Sequence, residues 1–213
     1  MIGRIKAVIF DWGGVLIDDP RPVLMRYCSK ALGVPEDRYV TAHWKFAADF
    51  IKGLIGEDVF WTRVCGELNK PGPKVRSLWG DAFRAAYSPR PKVFAIASQL
   101  QKSGYKTALL SNTEVPAVEF FHQLQYDMFD VLVFSCEEGM MKPERKIYEI
   151  TVERLDLPPL LSCESKKGGQ AVFIDDRPEN INGAKQAGLN TILFENIEQV
   201  KTDLARLGVS PVR

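Results

Sequence analysis

Five short apolar runs, each stopping at a polar residue, constrain this chain more than any other feature. They are Ala7–Phe10 before Asp11, 107–110 before Ser111, Val131–Phe134 before Ser135, 171–174 before Asp175 and 191–194 before Glu195. Their hydrophobicity is continuous rather than alternating, which suits strands covered on both faces. Between them lie patterns of helical period at 92–103, 144–155, 180–187 and 197–207, with Gly104, Gly188 and Gly208 as stops. Strands alternating with helices predict an α/β fold built on a doubly wound parallel sheet.

The exception is 17–90, which has no strand-like run. It reads as helices over 22–32, 36–52, 57–68 and 74–87, punctuated by Gly33, Pro35, Gly53 and Pro71-Gly72-Pro73. The expected organisation is an α/β core from 1–16 and 91–213, with 17–90 as a helical cap over the sheet's carboxyl edge. A chain of 213 residues with 46% hydrophobic residues can bury a full core of this kind.

Charge narrows the partners. With 28 basic and 27 acidic residues scattered throughout, the net charge of +1 offers neither a nucleic-acid nor a polybasic membrane surface. Arg4 and Lys6 precede no apolar stretch of signal-peptide or membrane-spanning length, so a cytoplasmic protein, monomer or homodimer, is expected. Cys28, Cys65, Cys136 and Cys163 form no C-x-x-C pair and read as reduced thiols rather than a zinc site. The polar segment 163–170, with Ser165-Lys166-Lys167-Gly168-Gly169, reads as a solvated loop rather than a phosphate cradle.

In a parallel sheet the strand ends gather along one edge, which brings Asp11, Ser111, Asn112, Asp175 and Asp176 together. Three clustered carboxylates repel one another unless a cation or proton is present. Ligands that are all oxygen suit Mg²⁺. Bland alternatives exist: Asp175-Asp176 as a helix cap, Ser111 as a strand-end cap, and Lys142 as a surface lysine before a Pro143-Glu144 first turn. Asn180 reads as a helix-start hydrogen-bonding residue, His43 and His122 as structural, and Trp12 as packing beneath its loop. Trp44, Trp61, Arg63 and Arg84 fit core or surface positions at helical spacing.

Four motifs in order resemble the haloacid dehalogenase-like hydrolase superfamily from Lys6 to about Phe194. They are Val8-Ile9-Phe10-Asp11-Trp12-Gly13-Gly14-Val15, Leu109-Leu110-Ser111-Asn112-Thr113, Met141-Lys142-Pro143 and Ile174-Asp175-Asp176-Arg177-Pro178. The resemblance implies that Asp11 is a nucleophile supported by Lys142. It implies that Ser111 and Asn112 bind the phosphate, and that Asp11, the Gly13 carbonyl, Asp175 and Asp176 hold Mg²⁺. The implied function is hydrolysis of a small phosphorylated metabolite through an aspartyl phosphate, which divides one difficult displacement into two easier ones.

Gly13 departs from that pattern. Phosphatases of the superfamily usually place an Asp there to protonate the leaving group and then activate water. Gly13 can offer its carbonyl to a metal but cannot move a proton, a loss typically worth about 10²–10⁴-fold. Asp18 and Asp19 follow in the same loop as candidate substitutes. The wording Asp-Trp-Gly-Gly-Val-Leu-Ile is similar to a branch that includes the N-terminal phosphatase-like domain of soluble epoxide hydrolases. Two other readings stand beside a phosphatase of weak or restricted activity: a non-catalytic binder of a phosphorylated ligand, and a 2-haloacid dehalogenase-type enzyme. Gly13 motivates the first, and the acidic pair argues against the second.

Overall fold

The computed structural model describes residues 4–160 and 169–210. In chain order, β1 (Ala7–Phe10) leads into α1 (Arg21–Leu32), α2 (Glu36–Trp44), α3 (Ala47–Ile51), α4 (Glu57–Leu68) and α5 (Leu78–Ala86). Then follow α6 (Pro91–Lys102), β2 (Lys106–Ser111), α7 (Val115–Gln123), β3 (Val131–Phe134), α8 (Ser135–Glu138) and α9 (Arg145–Arg154). The chain closes with β4 (Ala171–Asp175), α10 (Pro178–Ala187), β5 (Asn190–Leu193) and α11 (Ile197–Arg206).

The five strands form one parallel sheet in the order β3-β2-β1-β4-β5. Ala7 to Phe10 pair with Lys106 to Leu109 on one side and Ala171 to Ile174 on the other. Val8 and Phe10 face a cluster covered by α6, α7 and α11, through residues such as Phe94, Phe121 and Leu204. Ala7 and Ile9 face the opposite layer, where Ile147 and Tyr148 of α9 and Ile181 and Ala184 of α10 pack. Both faces of β1 are thus apolar, which explains its unbroken hydrophobic run. The order reverses beside β1, and at such a reversal the carboxyl ends of the strands leave a crevice.

Each expected strand is present, with small shifts. β2 and β4 extend to include Ser111 and Asp175, and β5 occupies 190–193 rather than 191–194. The insert between β1 and α6 departs more. The single helix expected over 36–52 breaks at Phe46, where φ is −124°. The break turns His43 and Phe50 toward a common aromatic cluster with Phe60 and Trp79. The helix expected over 74–87 begins only at Leu78, because the Ser77 hydroxyl accepts the Gly80 N–H at 2.9 Å and caps it there. α7 and α8 carry no strong sequence signal and were not expected.

No helix among the described residues is long and apolar enough to cross a membrane. Cys28, Cys65 and Cys136 are free thiols. Cys163 and the segment 165–168 lie outside the described residues.

Candidate active site

Asp11 follows the last residue of β1 and is 6% exposed. Its Oδ1 accepts the Trp12 N–H at 2.7 Å and lies 2.7 Å from the Lys142 ammonium. Lys142 is not at the surface. It is 2% exposed, and its Nζ also reaches Asp175 Oδ2 at 2.8 Å and donates to the Leu110 carbonyl at 2.9 Å. One ammonium thus ties the ends of β1, β2 and β4 together. Burial alone would lower its pKa, but Asp11 and Asp175 more than offset this and hold it charged. Burial likewise pushes the Asp11 carboxyl up to about 7, against Lys142 and with help from Asp175 and Asp176.

Asp175 is fully buried and engaged by its neighbours. Its oxygens accept the Arg177 N–H at 2.8 Å and the Asn180 side-chain amide at 3.0 and 3.1 Å, besides Lys142. Asp175 is therefore not the helix cap; Arg177 occupies that position of α10. Asn180 is a helix-start hydrogen-bonding residue as expected, and its target is this carboxylate. Asp176 differs. Its Oδ1 is buried without a hydrogen-bond partner, and burial and Asp175 raise its pKa. Oxygens of Asp11, Asp175 and Asp176 lie within 4.8 Å of one another, a spacing a single cation can span. This donor set of hard oxygens with one orphaned carboxylate oxygen fits a divalent cation.

Gly14 makes that arrangement possible. Its φ is +91°, and a Cβ there would stand 2.3 Å from the Asp176 carboxylate. Gly13 is less confined, since its Cβ would meet only the Pro20 ring, at 3.1 Å from Cδ and 3.7 Å from Cγ.

Ser111 ends β2, 3% exposed, beside this cluster. Asn112 is expected to bind phosphate through the backbone amides near it, and its side chain is held by Lys142. Its side chain accepts the Lys142 N–H at 2.8 Å and donates to the Lys142 carbonyl at 2.9 Å, fixing the lysine's backbone. Neither proposed substitute for an acid at Gly13 has a proton to give near neutral pH. Ser88 and Arg90 lower Asp18, and Arg21 lowers Asp19 by more than burial raises it. Asp18 also points away, to Ser88 Oγ at 2.6 Å.

The residues from β1 through α10 that carry these contacts fall inside 5–188, the stretch that matches the family model of haloacid dehalogenase-like hydrolases. The chain belongs to that family. As a haloacid dehalogenase-like hydrolase it is an enzyme of the hydrolase class. It is 31% identical over 212 residues to Acyl-CoA dehydrogenase family member 10 of Mus musculus, covering 95% of this chain and 19% of that one. It is 25% identical to Bifunctional epoxide hydrolase 2 of Rattus norvegicus, over 95% of this chain and 39% of that protein. The chain therefore spans well under half the length of these two relatives. Sesquiterpene phosphatase astK of Aspergillus oryzae is 26% identical, with 89% of each chain covered. Among solved structures, a HAD family enzyme from Bacteroides thetaiotaomicron in complex with magnesium and inorganic phosphate superposes with a TM-score of 0.69. That pair shares 20% identity, over 92% of this chain and 98% of the other, and so shares the fold.

Two connected cavities open at this hydrolase's sheet edge. The smaller, about 90 Å³, is lined by Asp11, Gly13, Ser111, Asn112, Lys142 and Arg177, among others. The larger, about 310 Å³, shares Gly13, Ser111 and Lys142 with it and continues under the insert to Leu24, Trp79 and Glu114. Trp12 is buried as expected, packed against Phe83 and Phe121 with centroids 4.9 and 5.1 Å away, and it also lines the larger cavity. His43 stacks on Trp79 at 5.3 Å and lies on the same wall. Of the insert residues singled out from sequence, Trp44 lines this cavity, while Trp61 binds Glu57, Arg63 pairs with Asp49 and Arg84 pairs with Asp81.

Sequence reasoning missed Glu114 and Arg90. Glu114, 7% exposed, accepts the Trp79 indole N–H at 2.8 Å. Arg90 pins the Asp11 loop by donating to the Gly14 carbonyl and pairing with Asp18 at 2.9 Å. An acid just before Val115-Pro116 was the available signal for Glu114; nothing local marks Arg90.

Proposed function

We propose that this hydrolase is a Mg²⁺-dependent phosphatase of small phosphate monoesters, with Asp11 as nucleophile. The observation that carries the reading is the orphaned Oδ1 of Asp176 beside an Asp11 already oriented by Lys142 and Trp12. The likeness to a sesquiterpene phosphatase over 89% of each chain supports the reaction class. So does the fold shared with an enzyme solved with magnesium and inorganic phosphate.

Asp11, Asp176 and the Gly13 carbonyl are the proposed metal ligands, with Asp175 positioning Lys142 rather than binding directly. Magnesium held there would screen Asp11 from an anionic substrate and stabilise charge on the transferred group. Among the described residues nothing donates to Asp11 Oδ2, which leaves that oxygen to attack. The bond from Oδ2 to phosphorus forms as the ester P–O bond breaks, and the departing alkoxide takes a proton from solvent water, because Gly13 has none to supply. Water then releases phosphate and returns the carboxylate. Lys142 keeps positive charge on the attacking side throughout, and Ser111 donates to phosphate oxygens. Residues 17–90 act as a cap that selects the alcohol. The free thiols of Cys28, Cys65 and Cys136 support a reducing, cytoplasmic setting.

Gly13 favours one second reading, a protein that binds the phosphorylated ligand without turning it over. Dehalogenation, in which Asp11 attacks carbon, leaves Asp176 Oδ1 without a use. Phosphate release from p-nitrophenyl phosphate separates these. Mg²⁺-dependent turnover that EDTA abolishes, and that Asp11→Asn lowers by about 10³-fold or more, is expected. Turnover unchanged in Asp11→Asn removes the nucleophile assignment. Halide release from a 2-haloacid in EDTA removes the phosphatase reading.

A further inference from the structure

The larger cavity is electrically two-ended. Every cation on its wall already has an acid: Arg21 with Asp19 at 2.8 Å, Lys142 with Asp11 and Asp175, and Arg177 with Glu179 at 2.7 Å. Glu114 lines the same cavity and has no Lys or Arg partner among the described residues. Among the described residues its only side-chain donor is the neutral Trp79 indole. The walls around it are aromatic: Trp79, His43, Trp12, Phe83 and Trp44. A buried carboxylate without a cation is costly, and aromatic faces attract cations.

The geometry points to a recognition subsite under the insert in which Glu114 and its aromatic walls bind a protonated amine carried by the alcohol half of the substrate. The preferred substrate class is then the phosphate monoester of an amino alcohol, with its phosphate at Asp11 and its ammonium at Glu114. This rests on the phosphatase reading of the sheet edge.

Three observations favour an ammonium over a purely apolar group. Burial pushes the Glu114 carboxyl up to about 7, and a ligand cation would stabilise its charged form. His43 does not supply that charge, because burial lowers it to about 4 and leaves the ring neutral. The only acid engaging Trp79 Nε1 is Glu114, so the indole holds the carboxylate in place without neutralising it. Glu114 does not replace the acid absent at Gly13. It lines the larger cavity and not the smaller one, which Asp11 lines.

The test is Mg²⁺-dependent phosphate release from ω-aminoalkyl phosphates against n-alkyl and ω-hydroxyalkyl phosphates of matched length. The expected kcat/KM advantage of the amine at its best length is about tenfold or more. Glu114→Gln keeps an acceptor for Trp79, and it should bring the ratio to about one while n-alkyl phosphate turnover changes by less than about threefold. A wild-type enzyme that treats the three series alike, or prefers alkyl or hydroxyalkyl chains, overturns the proposal. So does an amine preference that survives in Glu114→Gln. If Glu114→Gln fails to fold, the wild-type ratio decides alone. If no phosphate is released from any series, the phosphatase reading has failed. Calorimetric titration of the same phosphates then judges the subsite: tighter binding of the amine supports it, and equal binding overturns it.

Discussion

The two ends of the cavity handle buried charge in opposite ways. At the sheet edge, Lys142 sits between Asp11 and Asp175, and Asn180 and the Arg177 N–H complete the set. Under the insert, Glu114 has the Trp79 indole as its side-chain donor and, among the described residues, no cation. Around Asp175 the arrangement is complete within the chain and fixes geometry, while Asp176 beside it keeps an oxygen for the proposed metal. The arrangement around Glu114 is incomplete and awaits something from outside. A charge that the protein neutralises itself serves positioning, whereas one left open serves recognition.

Removing the shared cation breaks the complete end. Lys142→Met leaves Asp175 buried with its charge unmatched, at an expected cost of about 3–5 kcal/mol by denaturant unfolding, and turnover is lost with it. A cost below about 1 kcal/mol would mean that Lys142 is not what balances the Asp175 charge.

The incomplete end has its own signature. Glu114 is raised from 4.5 to about 7 on folding, so the folded state holds its proton longer than the unfolded state does. That stabilisation is fully present below about pH 4.5 and disappears as pH rises toward 7. Glu114→Gln does not titrate. Relative to wild type it should therefore gain on the order of 3 kcal/mol across that window, read from denaturant unfolding at stepped pH. A flat difference would show that Glu114 ionises freely and that the two ends are alike.

Gly14→Ala places a methyl group against Asp176 at a backbone angle that disfavours it. The expected cost is about 1–3 kcal/mol in stability, together with a higher Mg²⁺ concentration for half-maximal activity. Unchanged metal dependence would remove Asp176 from the ligand set. The smallest expected effect is a gain. Gly13→Asp should raise turnover by about tenfold, short of the full value of an acid, because Pro20 Cδ must yield at 3.1 Å. No gain, even with Pro20→Ala added, would place the slow step elsewhere.

How much could be read in advance follows the same division. The strands were visible because burial on both faces demands unbroken apolar runs, and Ala7–Phe10 and Val131–Phe134 match residue for residue. Asp11, Ser111 and the Asp175-Asp176 pair were visible because a parallel sheet gathers strand ends, whereas Lys142 stood out only through the family resemblance. The inner roles were not. Nothing in local sequence distinguishes Asp175, saturated by hydrogen bonds, from Asp176, which is left open; that depends on α10 folding Asn180 back. Asn112 reads as a ligand residue, and nothing in local sequence reports that its side chain also holds the Lys142 backbone. The insert was least legible, because aromatic packing on Trp79 set the break at Phe46, and no periodicity reports such packing.

Gly13 and Gly14 also differ in what mutation can make of them. No residue with a side chain fits at 14 while Asp176 keeps its place. At 13 an aspartate needs a few tenths of an ångström from Pro20, and a single-base change converts some glycine codons to aspartate codons. If Gly13→Asp raises turnover as expected, a faster hydrolase lies a short mutational step from this chain, on a path that opens at one glycine and is shut at its neighbour.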